Sequence, residues 1–158
     1  MENEQTTLEA RTEVADTVTR LFVNIDEGNW EGLTGYFAPK VLFDLSSLTG
    51  SRPTRVGPKR TVEHLESGVR GLAAVHHQLG NMLVNVEGAE ASAFCYVTAT
   101  HYLPNPTRND VRRLVGTYDL HLVRGEDDWK VDALRFNLKF TEGNLLPASL
   151  AKKASGRD

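Results

Sequence analysis

The sequence has a single cysteine and no long apolar run, and each shortage excludes a class of protein. Cys95 is the only cysteine among 158 residues, so no intramolecular disulfide can form. Its apolar surroundings at 93–97 favour a buried, unreactive thiol over a nucleophile. No run approaches the roughly 18 apolar residues of a membrane helix, and the polar N-terminus has no signal-peptide core. We therefore expect no membrane partner and a cytoplasmic protein.

Basic residues are not in excess, which argues against a nucleic-acid partner. The chain has 18 lysines and arginines against 21 aspartates and glutamates, for a formal net charge of −3. A protein that binds phosphate backbones needs a basic surplus. The largest basic cluster, at 108–113, holds three arginines and an aspartate. The composition therefore predicts no nucleic-acid partner.

The sequence also lacks the residue spacings of metal and nucleotide sites. Its five histidines show no HxH or HxxxH spacing, and the lone cysteine has no partner cysteine. Neither a glycine-rich phosphate loop nor a G-x-S-x-G motif is present. We therefore expect no metal and no cofactor.

Apolar residues follow a helical period early in the chain and a strand-like pattern after residue 75. The predicted elements are a helix at 8–28, a short helix at 29–39, a strand at 41–45, a loop at 46–57, a helix from Pro58, and strands at 77–87, 90–103, 112–124 and 129–141. This order predicts an α+β domain in which three N-terminal helices pack on a strongly curved antiparallel sheet and enclose a pocket. The domain is predicted at 1–145, with a mobile tail at 146–158.

Two positions stand out as candidates for chemistry. Asp26 lies at the core-facing edge of the first helix, where a carboxylate is costly unless it is paired or opens into a cavity. The alternative is a solvated aspartate in the last helical turn. His76 and His77 begin the first long strand, and adjacent strand residues point to opposite faces, so only one can face the pocket. Histidine is the natural general base near neutral pH, although a structural role is the alternative.

Further polar and aromatic residues lie on the later strands, and alternation alone does not say which of them point inward. They are His101, Tyr96, Tyr102, Tyr118, Asp119, His121 and Asn137. For each of them, a place in the core or on the outer face of the sheet is the alternative to a place in the pocket.

Four short strings resemble a known superfamily in their order and spacing. They are IDEGNWEGL at 25–33, VHHQLGN at 75–81, GTYD at 116–119 and DWKV at 128–131. Over residues 8–141 the chain resembles the NTF2-like cone fold, and within it the SnoaL-like, polyketide-cyclase-like group.

The resemblance implies roles for two residues. Scytalone dehydratase and hexachlorocyclohexane dehydrochlorinase, two lyases of this superfamily, pair an aspartate ending the first helix with a histidine starting this strand. By motif alignment these positions are Asp26 and His77, with His77 as the base and Asp26 as its orienting partner. Two further residues of the dehydratase have no match in this chain. Its tyrosine aligns near Leu45 and its second histidine near Val115 or Gly116, so no second acid is identified.

The expected function is cofactor-independent proton abstraction, with elimination or isomerisation of a small apolar or aromatic, polyketide-like substrate. The candidate substrate-binding residues are Trp30, Phe43, Tyr96, Tyr118 and Asn137. The alternative is a non-catalytic ligand-binding or dimerisation module of the same fold. The resemblance also implies a homo-oligomer, either a dimer or a trimer.

Overall fold

A computed structural model describes the backbone of residues 2–144 and the side chains from Thr6 onward. The predicted tail at 146–158 lies outside the described residues. In chain order the elements are α1 (Glu2–Glu27), α2 (Trp30–Leu33), a 3-10 turn (Thr34–Tyr36), β1 (Phe37–Asp44), α3 (Ser46–Thr49), β2 (Thr54–Val56), α4 (Pro58–Val69), β3 (Ala74–Glu87), β4 (Glu90–Tyr102), β5 (Val111–Arg124) and β6 (Trp129–Gly143). This α+β architecture confirms the predicted fold class.

The sheet has six strands in the order β2-β1-β6-β5-β4-β3. Strands β3 to β6 form the predicted antiparallel meander, whereas β1 pairs with β6 in parallel. The order leaves β2 and β3 at opposite edges, so the sheet curves without closing into a barrel. Register shifts at Gly80/Leu83, Val115/Gly116 and His121/Leu122 interrupt the ladders. Such bulges bend strands and strengthen their twist.

The core lies between α1 and the inner face of the sheet. The apolar stripe of α1, including Val14, Val18 and Leu21, is fully buried, as its helical spacing predicts. On β4 the odd-numbered residues from Ala91 to Ala99 are all buried, while the even-numbered ones are exposed or half-buried. This alternation identifies the odd-numbered face of β4 as the inner face of the sheet.

The structure corrects the sequence prediction in the first half of the chain. α1 begins at Glu2 and not at residue 8, and the second helix is a single turn. Phe37 and Pro39 belong to β1, not to a helix. Pro39 is tolerated there because it falls in the register shift between Phe37 and Leu42, where no ladder bond to β6 needs its missing N–H. The predicted loop at 46–57 contains α3 and β2.

The structure bears on two expectations from the sequence, the buried cysteine and the lack of a membrane helix. Cys95 is free and fully buried, which confirms the buried thiol. Burial raises the pKa of this thiol to about 11. Within residues 2–144, no helix is both long and apolar enough to cross a membrane.

Candidate active site

Asp26 and His77 contact each other through two hydrogen bonds. Asp26 Oδ1 lies 2.6 Å from His77 Nδ1, and Asp26 Oδ2 accepts the backbone N–H of His77 at 2.7 Å. The aspartate and histidine side chains are only 14% and 8% exposed. Both carboxylate oxygens therefore hold the same residue, which fixes the position of the imidazole.

The end of α1 places Asp26 against β3. Phe22 and Ile25, on the buried stripe of α1, are 2% and 3% exposed, so the last helical turn is packed against the sheet. Gly28 adopts φ +70 and ends the helix one residue after Glu27, because a glycine enters the left-handed region without steric cost. The carboxylate of Asp26 is therefore presented to the first long strand.

The partner of His77 Nδ1 determines which ring nitrogen is basic. An ionised carboxylate only accepts hydrogen bonds, so Nδ1 must carry the proton that Asp26 accepts. In the neutral ring Nε2 then holds the lone pair. This is the arrangement of a general base whose tautomer is fixed by a carboxylate.

The structure distinguishes His77 from its neighbour His76. His77 is opposite Ala99 on β4, which lies on the inner face, whereas His76 is opposite Thr100. His76 is exposed on the outer face. Of the two adjacent histidines, only His77 faces α1.

Aromatic rings surround the dyad on its apolar side. The Phe22 ring lies 5.2 Å from His77 and 4.7 Å from Tyr118, and Tyr118 lies 5.1 Å from Phe136. Burial, reinforced by the negative charge of Asp26, raises the pKa of the Tyr118 phenol far above its usual range. Tyr118 is therefore a neutral phenol in the same apolar cluster as His77.

A second histidine, His101, lies on the inner face of β4 and is 6% exposed. Its Nδ1 is 2.9 Å from Nη2 of Arg112. Burial, followed by the charges of Arg112 and His77, lowers the pKa of His101 to about 4, although Asp26 acts in the opposite direction. His101 is therefore a neutral imidazole within electrostatic reach of the dyad.

The sequence prediction left His101 without a role. The second histidine of the dehydratase aligns near Val115 or Gly116, where this chain has no histidine. The structure instead places His101 on the neighbouring strand. The sequence did contain one indication of its position. His101 has an odd number, like the apolar residues from Ala91 to Ala99, so strand alternation puts it on the same face of β4. A polar residue that continues such a buried row is a candidate for the pocket.

Two of the predicted substrate-binding residues pack in the core on the helix side. Phe43 is 7% exposed, and its ring stacks on His64 of α4 at 5.5 Å. Trp30 is half-buried and packs against the core cluster from α2. Together with Tyr118, these residues lie on the same side of the sheet as Asp26 and His77.

The structure does not bring Tyr96 and Asn137 to the dyad. Tyr96 is 47% exposed on the outer face of β4, where Lys139 Nζ lies 4.9 Å from its ring centroid. Asn137 donates to Thr117 Oγ1 at 3.1 Å and to Asp119 Oδ2 at 2.8 Å on the same outer face. Strand alternation, which the sequence left undecided, separates both residues from the interior.

An additional Asp–His pair lies on the outer face. His121 Nδ1 is 2.6 Å from Asp132 Oδ1, and its Nε2 is 3.6 Å from Glu90 Oε1. This pair is half-exposed on the outer face of the sheet, away from the aromatic cluster beside His77. Among residues 2–144, no three His, Cys, Asp or Glu side chains are grouped as a metal site.

A groove of about 310 Å³ gives access to His77 between α1 and β3. Thr19, Phe22 and Val23 form its helix side, and Leu79 and Met82 line its strand side. Its lining is mainly apolar, so the base opens toward a surface suited to a small apolar molecule.

Comparisons with known proteins agree with this fold. The family model of the SnoaL-like domain matches residues 6–135. No curated protein sequence matches the chain. In structure, the chain is similar to the Kfla4162 protein from Kribbella flavida, with a TM-score of 0.81 and 23% identity over 91% of this chain and 97% of that chain.

Two further structural neighbours carry enzyme names. A candidate scytalone dehydratase from Novosphingobium aromaticivorans has a TM-score of 0.77 and 17% identity over 90% of this chain and 93% of that chain. Hexachlorocyclohexane dehydrochlorinase LinA-type3 from Novosphingobium barchaimii has a TM-score of 0.71 and 13% identity over 87% and 92%. At these identities the likeness shows the fold alone. The family match and the fold together confirm that this chain belongs to the SnoaL-like domain family and has the NTF2-like fold.

Proposed function

We propose that the protein is a small-molecule enzyme in which His77 removes a carbon-bound proton and Asp26 orients and stabilises His77. The observation that carries this proposal is the double contact between the two residues, at 2.6 and 2.7 Å. It leaves Nε2 as the basic nitrogen. The reaction is an elimination or an isomerisation and uses no cofactor.

The cost of burying the dyad supports a catalytic role. Both side chains are largely removed from water. Buried ion pairs often contribute no more stability than apolar residues of similar volume. A purely structural domain has little need for a base beside a buried carboxylate, whereas a proton-transfer enzyme requires one.

The proposed step transfers one proton and one electron pair. A substrate carbon loses its proton to His77 Nε2, and the imidazolium that forms is stabilised by the Asp26 carboxylate. The carbon's electron pair becomes a new double bond as a leaving group departs, or it moves onto an adjacent carbonyl oxygen as an enolate. In the first case the reaction is an elimination, and in the second, with return of the proton to another carbon, an isomerisation.

The surroundings of the dyad indicate a small apolar or aromatic, polyketide-like substrate. Phe22, Tyr118 and Phe136 supply aromatic surface beside the dyad. The names of two structural neighbours, a dehydratase and a dehydrochlorinase, favour elimination. Trp30 and Phe43 remain candidates for the walls of the pocket.

The test replaces each member of the dyad while keeping its size. The variants His77→Gln and Asp26→Asn are assayed for elimination and for deuterium exchange at carbon on a panel of β-hydroxy ketones, β-chloro compounds and cyclic enones. General-base catalysis typically contributes about 100- to 10,000-fold, so we expect losses of turnover in that range. His76→Gln is the matched control, because His76 is exposed on the opposite face, and it should retain full activity.

Thermal unfolding of the same variants separates catalysis from structure. Activity lost with a nearly unchanged melting temperature supports the proposal. A wild type with no turnover or exchange on the panel, together with variants that melt far lower, would assign the pair to a non-catalytic ligand-binding module.

We further propose that the chain forms a homo-oligomer, a dimer or a trimer, through the outer face of the sheet. Leu83, Phe140 and Tyr96 are 69%, 53% and 47% exposed there. Large exposed apolar groups on one face indicate an interaction surface. Light scattering should give a multiple of 17.5 kDa for the wild type. The double variant Leu83→Glu/Phe140→Glu should have a mass closer to that of the monomer. A monomeric wild type would overturn the proposed oligomer.

A further inference from the structure

His101 and Arg112 are directly opposite each other on β4 and β5. The Nη2 atom of Arg112 lies 2.9 Å from Nδ1 of His101. A guanidinium group has five N–H donors and no acceptor. The bond therefore exists only if Nδ1 of His101 carries a lone pair, and the ring proton must then lie on Nε2.

We propose that Arg112 is a positioning residue that fixes His101 in the Nε2–H tautomer, so that His101 serves the site as a neutral hydrogen-bond donor to a substrate oxygen. The two histidines then have opposite roles. His77 presents a lone pair at Nε2, because Asp26 accepts the proton of its Nδ1. His101 presents a proton at Nε2, because Arg112 donates to its Nδ1. The catalytic meaning of this difference rests on the function proposed above.

The sheet register makes His77 and His101 diagonal neighbours on the inner face. His77 is opposite Ala99, and His101 follows two residues later on the same face of β4. Diagonal neighbours of this kind on one sheet face are about 7 Å apart. A small molecule bound between them can offer a C–H to His77 and an oxygen to His101.

Burial and the charges around His101 keep it neutral at physiological pH. Burial has the largest effect on its pKa, which is lowered to about 4; Arg112 and His77 also oppose its protonation, and Asp26 favours it. A protonated ring would also direct an Nδ1–H at the guanidinium, replacing a hydrogen bond by a like-charge contact. His101 is therefore a poor second base and a persistent donor.

This assignment narrows the substrate class. When His77 takes the proton, the carbon's electron pair moves toward a conjugated oxygen, which becomes more negative and accepts a stronger hydrogen bond from His101 Nε2–H. The proton rests on His77 and the electron pair on the substrate, so the step is balanced. A substrate with a carbonyl oxygen benefits from His101, whereas a purely halogenated hydrocarbon, whose halogens accept weakly, does not.

The first test reads the tautomer without a substrate. In ¹⁵N-labelled wild-type protein at pH 7, the ring nitrogen shifts of His101 should show a protonated Nε2 and an unprotonated Nδ1. Arg112→Met has a similar length and no donor, and it should give a mixture of tautomers with a higher titration midpoint. Arg112→Lys keeps a donor and should restore the wild-type tautomer. A wild-type ring with Nδ1 protonated, or a spectrum unchanged in Arg112→Met, overturns the inference.

The second test reads catalysis with a matched control. Arg112→Met should lower kcat about 10- to 100-fold on carbonyl substrates with little change in KM, because the bond to oxygen strengthens only in the transition state. Arg113→Met is the control, since Arg113 is exposed and pairs with Glu142. Equal loss in both variants would overturn the role of Arg112. Full activity in His77→Gln would overturn the proposed function alone, because the tautomer is measured independently.

Discussion

At the residue scale, each histidine on the inner face is defined by the group that holds its Nδ1. Asp26 accepts from His77, and Arg112 donates to His101. The same ring type thus becomes a lone-pair base in one place and an N–H donor in the other. His121 is also held at its Nδ1, by Asp132, but it lies on the outer face of the sheet.

The buried His101 should make stability depend on pH in a predictable direction. Its pKa of about 4 in the folded state lies below the ordinary value of 6.5. Between these values the unfolded chain binds a proton that the folded chain does not, so the free energy of unfolding falls as the pH is lowered from about 6.5 to 4. The change amounts to roughly 3 kcal/mol for this one group.

Urea unfolding between pH 4.5 and 7.5 measures this dependence. In His101→Gln the free energy of unfolding should depend much less on pH than in the wild type. His76→Gln should leave this dependence unchanged. If the free energy of unfolding changes with pH equally in His101→Gln and in the wild type, His101 does not have a lowered pKa in the folded state.

At the element scale, interruptions in the strands and one short helix shape the sheet around the site. Asn81 adopts φ 48 at the β3 register shift, four residues after His77. Toward the opposite edge of the sheet, Ser47 of α3 accepts the N–H of Leu138 at 2.9 Å and donates to the carbonyl of Phe136 at 2.6 Å. A serine side chain therefore continues the hydrogen bonding of β6 beyond the end of β1.

Gly116 of β5 should tolerate no side chain. A Cβ atom there would lie 2.1 Å from the carbonyl oxygen of Asn137 and 3.1 Å from Cε2 of Phe136, and the backbone oxygen cannot rotate away. We expect Gly116→Ala to lower the free energy of unfolding by about 2 kcal/mol or more, because it forces the β5 and β6 backbones apart.

Gly68→Ala is the control for this variant. Gly68 is exposed in α4, and nothing lies within 4 Å of a Cβ placed there. Because alanine is the better helix former, this variant should be as stable as the wild type or gain about 0.5–1 kcal/mol. Urea titration of both variants decides the matter, and a Gly116→Ala variant of wild-type stability would contradict the close approach of the two strands.

At the scale of the whole molecule, α1 covers an open sheet and is bonded to it at its middle and at its C-terminal end. Midway along the helix, Glu13 Oε2 accepts from Arg124 Nη1 at 2.9 Å and from Trp129 Nε1 at 3.2 Å. Near its end, Asp26 holds His77. The core beneath the helix, which includes Cys95, is therefore exposed to solvent only if the helix separates from the sheet.

The thiol of Cys95 should report this opening. It is fully buried, and burial raises its pKa to about 11. We expect a disulfide reagent at pH 8 to label native Cys95 at least about 1000-fold more slowly than the unfolded chain, with a rate that rises with urea in parallel with unfolding. A Cys95→Ala/Ser67→Cys variant, with its thiol on exposed α4, should react at once. Equal rates for the two thiols would contradict the closed core.

Periodicity alone determined much of this protein. The 3.6-residue stripe of α1, the helix beginning at Pro58 and the four long strands follow from local patterns, because each needs only one buried face. The strand at β2 and the parallel pairing of β1 with β6 do not, because they depend on contacts between distant segments. The short IDEGNWEGL and VHHQLGN strings selected Asp26 and His77 through a resemblance to a family.

Only the tertiary structure decided which side chains share the site. Alternation divides each strand into two sets of residues, and nothing within the strand says which set is inside. The packing of α1 on one face of the sheet makes that choice: His101 and Tyr118 become interior, and Tyr96 and Asn137 become exterior. The contact between Asp26 and His77 spans 51 positions in the chain, so only folding brings it to hydrogen-bonding distance.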